Sequence, residues 1–376
     1  MGENMQTEII KEGTTQIMVP VLDREKYHPS KTPVFYNPKM ELSRDISTAC
    51  IAAFAGDRDS YVDALGATGI RGVRVANELH LDTTINDWNF KAYELIVKNI
   101  GLNKLDAKAE RKNANVLLSE SHFDIVDIDP FGSPAPFLDS ACRSADKMLC
   151  VTATDTAPLC GAHKASGIRK YGAFPLKTEY HAEMGIRILL GAIARNLAKY
   201  DKSMNSLLAH ATDHYYRAYV SLKKGASNAN NMLKQMGFIY HCLSCGQRGW
   251  NSGLAVHMVK DCPHCSSSTS LAGPLWLGSL HDKKFCKVVL SELRNREFGT
   301  KEQALKIVRL CGDELDIPTH YDQHKFCKAL RITPPTLDRT IFQLQEAGFQ
   351  ASRTHFFGTS FKTDAPLEEI KRILCQ

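Results

Sequence analysis

Between Ser60 and Thr154 the chain alternates short apolar runs, each closed by a polar cluster, with stretches of helical spacing. Ser60-Tyr61-Val62-Asp63-Ala64-Leu65 reads as a buried strand running into Gly66-Ala67-Thr68-Gly69-Ile70-Arg71-Gly72 and a helix beyond. Thr83-Thr84-Ile85-Asn86-Asp87 is a second strand ending in an acid, and Arg111-Lys112-Asn113-Ala114-Asn115-Val116 fits the end of a third. Phe123-Asp124-Ile125-Val126-Asp127-Ile128 is a fourth strand, meeting Asp129-Pro130-Phe131-Gly132, and Lys147 to Thr154 a fifth. Helical segments near Asn89–Ile100, Pro136–Ser144 and Glu179–Lys199 interleave with the strands, which predicts an α/β, doubly wound, largely parallel sheet.

The back half has a different pattern. From Lys301 the chain turns helical: Phe326 and Leu330 share one helix, and Leu337, Ile341 and Leu344 recur at i, i+4 and i+7 on the next. Thr333-Pro334-Pro335 would start that second helix and Gly348 stop it, with strand-like segments around 349–357. This order is compatible with a winged helix, a nucleic-acid reader, or with a plain helical core. The 376 residues suffice for two domains, a first over 1–225 and a C-terminal α+β domain over 226–376.

Charge sharpens the division. Residues 1–200 hold 24 Lys+Arg against 25 Asp+Glu, and residues 201–376 hold 23 against 16. A basic back half fits either a surface that meets a polyanion or an ordinary soluble one. No apolar run reaches membrane-spanning length, and Glu8, Lys11 and Glu12 are unlike a signal peptide, so a soluble, cytoplasmic protein is expected. Of twelve cysteines, eight are scattered through apolar patterns. The other four, Cys242-x-x-Cys245 and Cys262-x-x-Cys265, are two matched pairs with 16 residues between them. Paired thiolates at this spacing predict one closed, structural Zn2+ site on a short β-ribbon, in a reducing compartment. His241, His257 and His264 lie close enough in sequence to be alternative ligands.

In open α/β sheets ligands bind beyond the carboxyl ends of the strands, where Asp63, Gly66, Asp87, Asn113 and Asp129 all fall. Glycines at 66, 69 and 72 allow a tight turn and close backbone approach to a ligand. Asp87 is placed to accept from two ribose hydroxyls, or else to cap the helix that follows. No phosphate-binding lysine follows the glycines, which argues against a P-loop. The Asp129-Pro130-Phe131 cluster has no role in hydride transfer. It suits chemistry on an exocyclic base amine: a carboxylate to accept the amine N–H, and a ring to stack the extruded base. S-adenosyl-L-methionine (SAM) is therefore favoured over a nicotinamide cofactor.

Further stretches carry a family resemblance. They are Phe35-Tyr36-Asn37-Pro38 with Ser43-Arg44-Asp45, Asp63 to Arg71, Asp127 to Pro134 and Thr154 to Gly161. Gly273-Pro274-Leu275-Trp276, Arg353-Thr354-His355-Phe356 and Lys362-Thr363-Asp364-Ala365-Pro366 complete the series. In this order the chain resembles the tRNA (guanine-26-N2)-dimethyltransferases over nearly its whole length. The resemblance implies a class I SAM-dependent methyltransferase fold, with tRNA as partner, no membrane and no obligate protein partner. It implies that Arg44, Arg71, Asp87, Asn113 and Ala114 contact SAM, with Asp63 and Gly66 at the same turn, and that Asp129 is the catalytic acid/base. Phe131, with Phe35 across from it, would hold the base. The family often has aspartate where this chain has Asn113, whose amide oxygen can still accept from the adenine amino group.

The leading expectation is two successive methyl transfers from SAM to N2 of guanine 26, giving N2,N2-dimethylguanosine. An amine methyltransferase acting on ribosomal RNA or DNA would use the same cluster. A non-catalytic RNA-binding protein on a SAM fold is the third reading, against which the intact Asp63, Gly66, Asp87 and Asp129 count.

Overall fold

Residues 5–21, 33–257 and 259–375 are described by the structure, a computed structural model. The chain forms two compact units interleaved in sequence, residues 1–152 with 287–308, and residues 153–286 with 309–376.

The first unit opens with an antiparallel hairpin, β1 (Thr7–Glu12) and β2 (Thr15–Pro20), whose inward residues Ile17 and Val19 are fully buried. Helix α1 (Glu41–Phe54) follows, and then the alternation seen in the sequence: β3 (Ser60–Asp63), α2 (Ile70–Leu79), β4 (Asp82–Asn86), α3 (Phe90–Leu102), β5 (Lys108–Glu110), α4 (Ala114–Glu120), β6 (Phe123–Ile128), α5 (Leu138–Ser144) and β7 (Ala145–Ala153). The five strands β3 to β7 pair in parallel in the order β5-β4-β3-β6-β7. The apolar runs of the central β3, β6 and β7 are continuous rather than alternating because both faces are covered; Tyr61, Val62, Ile125, Val126, Leu149 and Val151 are all completely buried. The order reverses between β3 and β6, so the loops after these two strands diverge and leave a crevice at their carboxyl ends.

One expectation is displaced. The third strand ends at Glu110, and Asn113 instead caps α4, its side chain accepting from Asn115 N–H at 2.9 Å. β5 is a short edge strand, and an asparagine before a helical run is a strong cap, so the chain leaves the sheet early and Asn113 starts α4.

The chain returns to this unit at residues 287–308. Thr300 donates from its N–H and its hydroxyl to Asp45 Oδ2, at 3.0 and 2.6 Å. Arg74, wholly buried, bonds Asp45 and Glu78, and its guanidinium lies 5.4 Å from the Phe298 ring centroid.

In the second unit α6 (Thr156–Leu159), α7 (Lys164–Tyr171) and α8 (His181–Ala198) precede an antiparallel hairpin, β8 (Lys202–Thr212) and β9 (Tyr215–Lys224), and α9 (Ala226–Leu233). A three-stranded antiparallel sheet in the order β11-β10-β12 is made of β10 (Met236–His241), β11 (Arg248–Ser252) and β12 (Ser270–Trp276). Helices α10 (Lys283–Asn295) and α11 (Lys301–Asp313) carry the segment 287–308 of the first unit; after them, in the second unit, come β13 (Tyr321–Asp322), α12 (Gln323–Leu330), α13 (Leu337–Glu346), β14 (Ala351–Arg353), β15 (Ser360–Thr363) and α14 (Leu367–Leu374). The last group has winged-helix order, with a β13-β15-β14 sheet over a core of Leu337, Leu344, Phe361, Ile370 and Ile373. The prolines at 334 and 335 precede α13 rather than start it, because the Thr336 hydroxyl accepts from Arg339 N–H and sets the first turn. Gly348, at φ 89°, ends it as expected.

Two motifs that the first unit does not use meet inside this one. Glu183 in α8, wholly buried, accepts from Arg187, from the Thr319 N–H and from Lys362, at 2.8, 2.9 and 3.2 Å, and meets His320 Nδ1 at 3.0 Å. Lys362 also reaches Glu314 at 2.8 Å, and Glu314 in turn meets His355 Nδ1 at 2.8 Å. Burial works to raise both glutamate pKa values, but Lys362 with Arg187 and His320 for Glu183, and Lys362 with His355 for Glu314, outweigh it and hold both low. A carboxyl that is ionised when folded and titrates near 4.5 when unfolded adds stability above that pH and loses it as pH falls below. Thermal melts should therefore fall steeply below about pH 4.5, and Lys362→Met should cost about 3–5 kcal/mol at neutral pH by leaving buried carboxylates short of a cation. A neutral-pH melting temperature unchanged by Lys362→Met would contradict this.

Candidate active site

The turn after β3 is built by glycine and by close packing. Gly69 holds φ 77°, a left-handed value, just before α2, and a Cβ on Gly72 would lie 2.6 Å from Ile85 Cγ1, so α2 sits directly on the sheet. Asp63 accepts from Gly72 N–H at 3.1 Å and so ties the strand end to the helix. Its carboxyl, fully buried and beside Asp127, is pushed up to about 7, with Arg71 opposing the shift.

Asp87, at the tip of β4, accepts from Ala67 N–H at 2.9 Å and from Asn89 N–H at 2.8 Å. It bridges two loops, while Asn89, not Asp87, caps α3. Burial raises its pKa and the two N–H bonds oppose that. Each oxygen meets one backbone donor and the side chain is partly exposed, so acceptor capacity remains for a pair of hydroxyls. The residue organising this region had escaped notice in the sequence. Asn86, fully buried, donates to the carbonyls of Ala64 and Lys112 and accepts from Lys112 N–H, pinning the loops after β3 and β5 to the end of β4. Its signal was a lone amide in an otherwise buried strand, next to the more conspicuous acid. Asn113 and Ala114 follow directly from the loop it holds.

Arg71 is the charge at the centre. Its guanidinium, 5% exposed, bonds Asp129 Oδ2 at 2.5 Å and Ser47 Oγ at 2.7 Å, and its Nε lies 3.9 Å from Asp127. The carboxylate of Asp129 remains 24% exposed beyond the carboxyl end of β6. Phe131 is 70% exposed, and its ring centroid lies 5.5 Å from that of Phe35, tilted by 57°. Two aromatic residues nearly a hundred positions apart thus flank the same acid-bearing loop.

Arg44 is turned elsewhere. It forms a two-pronged pair with Glu12, at 2.7 and 2.5 Å, bonds the Asn37 carbonyl, and lies 5.6 Å from the Tyr36 ring centroid. It is buried in α1. Its visible work is to fasten the Phe35-Tyr36-Asn37 stretch to the β1 strand end. Glu12, its partner across 32 positions, had no local signal in the sequence.

A family model described as N2,N2-dimethylguanosine tRNA methyltransferase matches residues 13–375. The chain is 54% identical, over 97% of each chain, to a tRNA (guanine(26)-N(2))-dimethyltransferase of Methanosarcina acetivorans. The chain belongs to this family. It is 44% identical to the Haloarcula marismortui relative of the same name, over 96% of this chain and 98% of that one. Among solved structures, Trm1 from Pyrococcus horikoshii in complex with SAM is 38% identical and superposes with a TM-score of 0.88, over 98% of this chain and 99% of that one. The fold is that of a SAM-dependent methyltransferase, and the partly exposed acceptor at Asp87 beside the glycine turn fits a nucleoside with two ribose hydroxyls.

The second unit brings the four paired cysteines together. Cys242 and Cys245 follow β10, and Cys262 and Cys265 lie between β11 and β12. Both pairs sit in the same turn: Cys242 N–H donates to Gln247 O and Gly246 N–H to Cys242 O, just as Cys262 N–H donates to Ser267 O and Ser266 N–H to Cys262 O. Gly246 and Ser266, each four residues after the first cysteine, both take left-handed φ, 82° and 57°. The sulfur of Cys242 is 3.5 Å from that of Cys265, and that of Cys245 3.6 Å from that of Cys262. Zn–S bonds of ~2.3 Å in a tetrahedron put sulfurs about 3.8 Å apart, so the four thiols fit a zinc ion. His241 instead meets the Tyr180 hydroxyl, and His264 meets Glu368.

Asp87→Ala should weaken SAM binding by about 1.5–3 kcal/mol, roughly ten- to a hundred-fold, with Asp87→Asn intermediate because the amide still accepts from the loop. Calorimetry showing full affinity in the alanine variant would leave Asp87 a loop brace only. Cys262→Ser should release the zinc held by the four cysteines and lower the melting temperature of the second unit, while SAM affinity survives. Full zinc retention by that variant would mean the ligand set is wrong.

Proposed function

We propose that this enzyme transfers two methyl groups in succession from SAM to the exocyclic N2 of guanine 26 of tRNA, with Asp129 as the base. The observation that carries the residue assignment is the Asp129 carboxylate held by Arg71 at 2.5 Å yet still partly exposed, beside the Phe35–Phe131 pair. SAM, when bound, supplies an electrophilic methyl group on a sulfonium. The guanine amine is a poor nucleophile because its lone pair is delocalised into the ring. An N2–H bond to Asp129 localises that lone pair. As the N–C bond forms and the S–C bond breaks, the nitrogen becomes cationic and strongly acidic, and its proton passes to Asp129. A carboxylate held in place by Arg71 suffices for that step. The remaining N2–H repeats the sequence with a second SAM, and a neutral thioether leaves each time.

Phe131 and Phe35 touch in this structure, so an extruded guanine must part them and take up their stacking. Asp87 and the Gly66 turn hold the nucleoside of SAM, with Asp63 at the end of β3 and Asn113 and Ala114 at the start of α4. Arg44 acts on SAM through the Asn37 loop it fastens, a positioning role narrower than direct contact. The zinc ribbon of Cys242, Cys245, Cys262 and Cys265 and the winged-helix segment serve tRNA binding, in line with the positive balance of the back half. The enzyme works in the cytoplasm. Among the described residues no helix is long and apolar enough to cross a membrane.

Asp129→Asn keeps shape and removes the base, and should slow methyl transfer roughly 100-fold or more with SAM affinity unchanged. Near-normal turnover by the asparagine variant would refute the assignment. Nucleoside mass spectrometry of a tRNA transcript, beside ribosomal RNA and DNA, separates this reading from a broader amine methyltransferase.

A further inference from the structure

The second unit contains another group of metal-capable side chains, remote in sequence from the four cysteines. One ring nitrogen of His281, one of His355 and the sulfur of Cys311 all lie within 4.8 Å of one another. His281 precedes α10, Cys311 lies in the last turn of α11, and His355 follows β14. The family motif Arg353-Thr354-His355-Phe356 supplies one of the three.

Three observations point to an ion rather than to packing. His281 is shielded from solvent at both ring nitrogens, yet neither has a hydrogen-bond partner. A buried imidazole that makes no hydrogen bond is costly, and a bound cation is one way to satisfy it. His355 is oriented as metal-bound histidines are. Its Nδ1 meets Glu314 Oε2 at 2.8 Å, a carboxylate that fixes the tautomer and leaves the Nε2 lone pair facing away. That Nε2 accepts a long hydrogen bond from Ala211 N–H, at 3.3 Å. Finally, the rings of His281 and His355 stand 5.3 Å apart at 82°. Two imidazoles on a tetrahedral ion with Zn–N bonds of ~2.0–2.1 Å put their centroids about 5 Å apart.

We infer that His281, Cys311 and His355 bind a second divalent d-block ion, zinc in the first place. Two imidazoles and one thiolate form a borderline-soft donor set, which suits zinc and not calcium or magnesium. Three protein donors leave a tetrahedral ion one position. A cavity of about 250 Å3, lined by His281, Glu314, Lys283, Asp316 and Lys362 among others, is large enough to bring a water to it. The alternative is a metal-free cluster in which a cavity water meets His281.

The test is metal content of the full-length protein. Apoprotein is titrated to saturation with Co2+, read by visible absorption, and Zn2+ is counted by mass spectrometry after gel filtration. Two equivalents are expected for the wild type. Cys262→Ser should keep one, with the weaker thiolate-to-cobalt band of a single-sulfur site. His281→Gln should lose that one alone and keep the four-sulfur spectrum. A folded wild type that saturates at one equivalent, with Cys262→Ser binding none, overturns the proposal. If either variant fails to fold, the wild-type stoichiometry together with the presence or absence of a single-sulfur spectrum decides by itself.

Discussion

One buried guanidinium governs the active-site end of the first unit. Arg71 is anchored by Ser47 and faces Asp129 and Asp127, which follow and end the same strand, and Asp63 lies across from Asp127 in register on β3. The crowding is visible at Asp63: burial first, and Asp127 next, push it up to about 7, although Arg71 pulls the other way. Asp129, bonded directly to Arg71 and partly exposed, is the carboxylate best placed to meet a substrate. A parallel sheet makes this possible, because it delivers every strand end, with its polar closing residues, to one edge.

Much of this was legible because it is local. β6 reads directly from Phe123 to Ile128, since a strand covered on both faces must be apolar throughout, and β3, β4 and β7 were visible for the same reason. The matched cysteine pairs needed only counting. The sequence did not expose interactions between distant positions. Nothing near Arg44 named Glu12 as its partner, and nothing near Asn86 showed that it holds the Lys112 loop. The end of the third strand was set too far along because Asn113 could read as a strand terminus or as a helix cap, and only the packing of Ala114 and Leu117 chose the cap. The chain's return to the first unit at 287–308 had no signature at all, since it depends on Thr300 finding Asp45.

The second unit has a related economy of charge. Lys362 lies between Glu183 and Glu314, and His320 and His355 complete their coordination by hydrogen bonds. Helix α8, the ribbon and the winged-helix segment converge there: Arg248 from β11 bonds Glu179 and the His320 carbonyl and lies 4.1 Å from the Tyr321 ring centroid. The family motif at Lys362 is therefore explained by the buried polar network inside this unit, which also fixes the orientation of His355 through Glu314.

The role given to Arg71 is the most exposed claim, and single-turnover methyl transfer at saturating SAM and tRNA tests it most directly. If Arg71 aims Asp129 at the substrate amine, Arg71→Met lowers the rate roughly 100-fold, close to the loss in Asp129→Asn, and combining the two substitutions lowers it little further. A wild-type rate in Arg71→Met, or losses that simply multiply in the double variant, would contradict that role and detach the catalytic carboxylate from the ion pair on which the site is built.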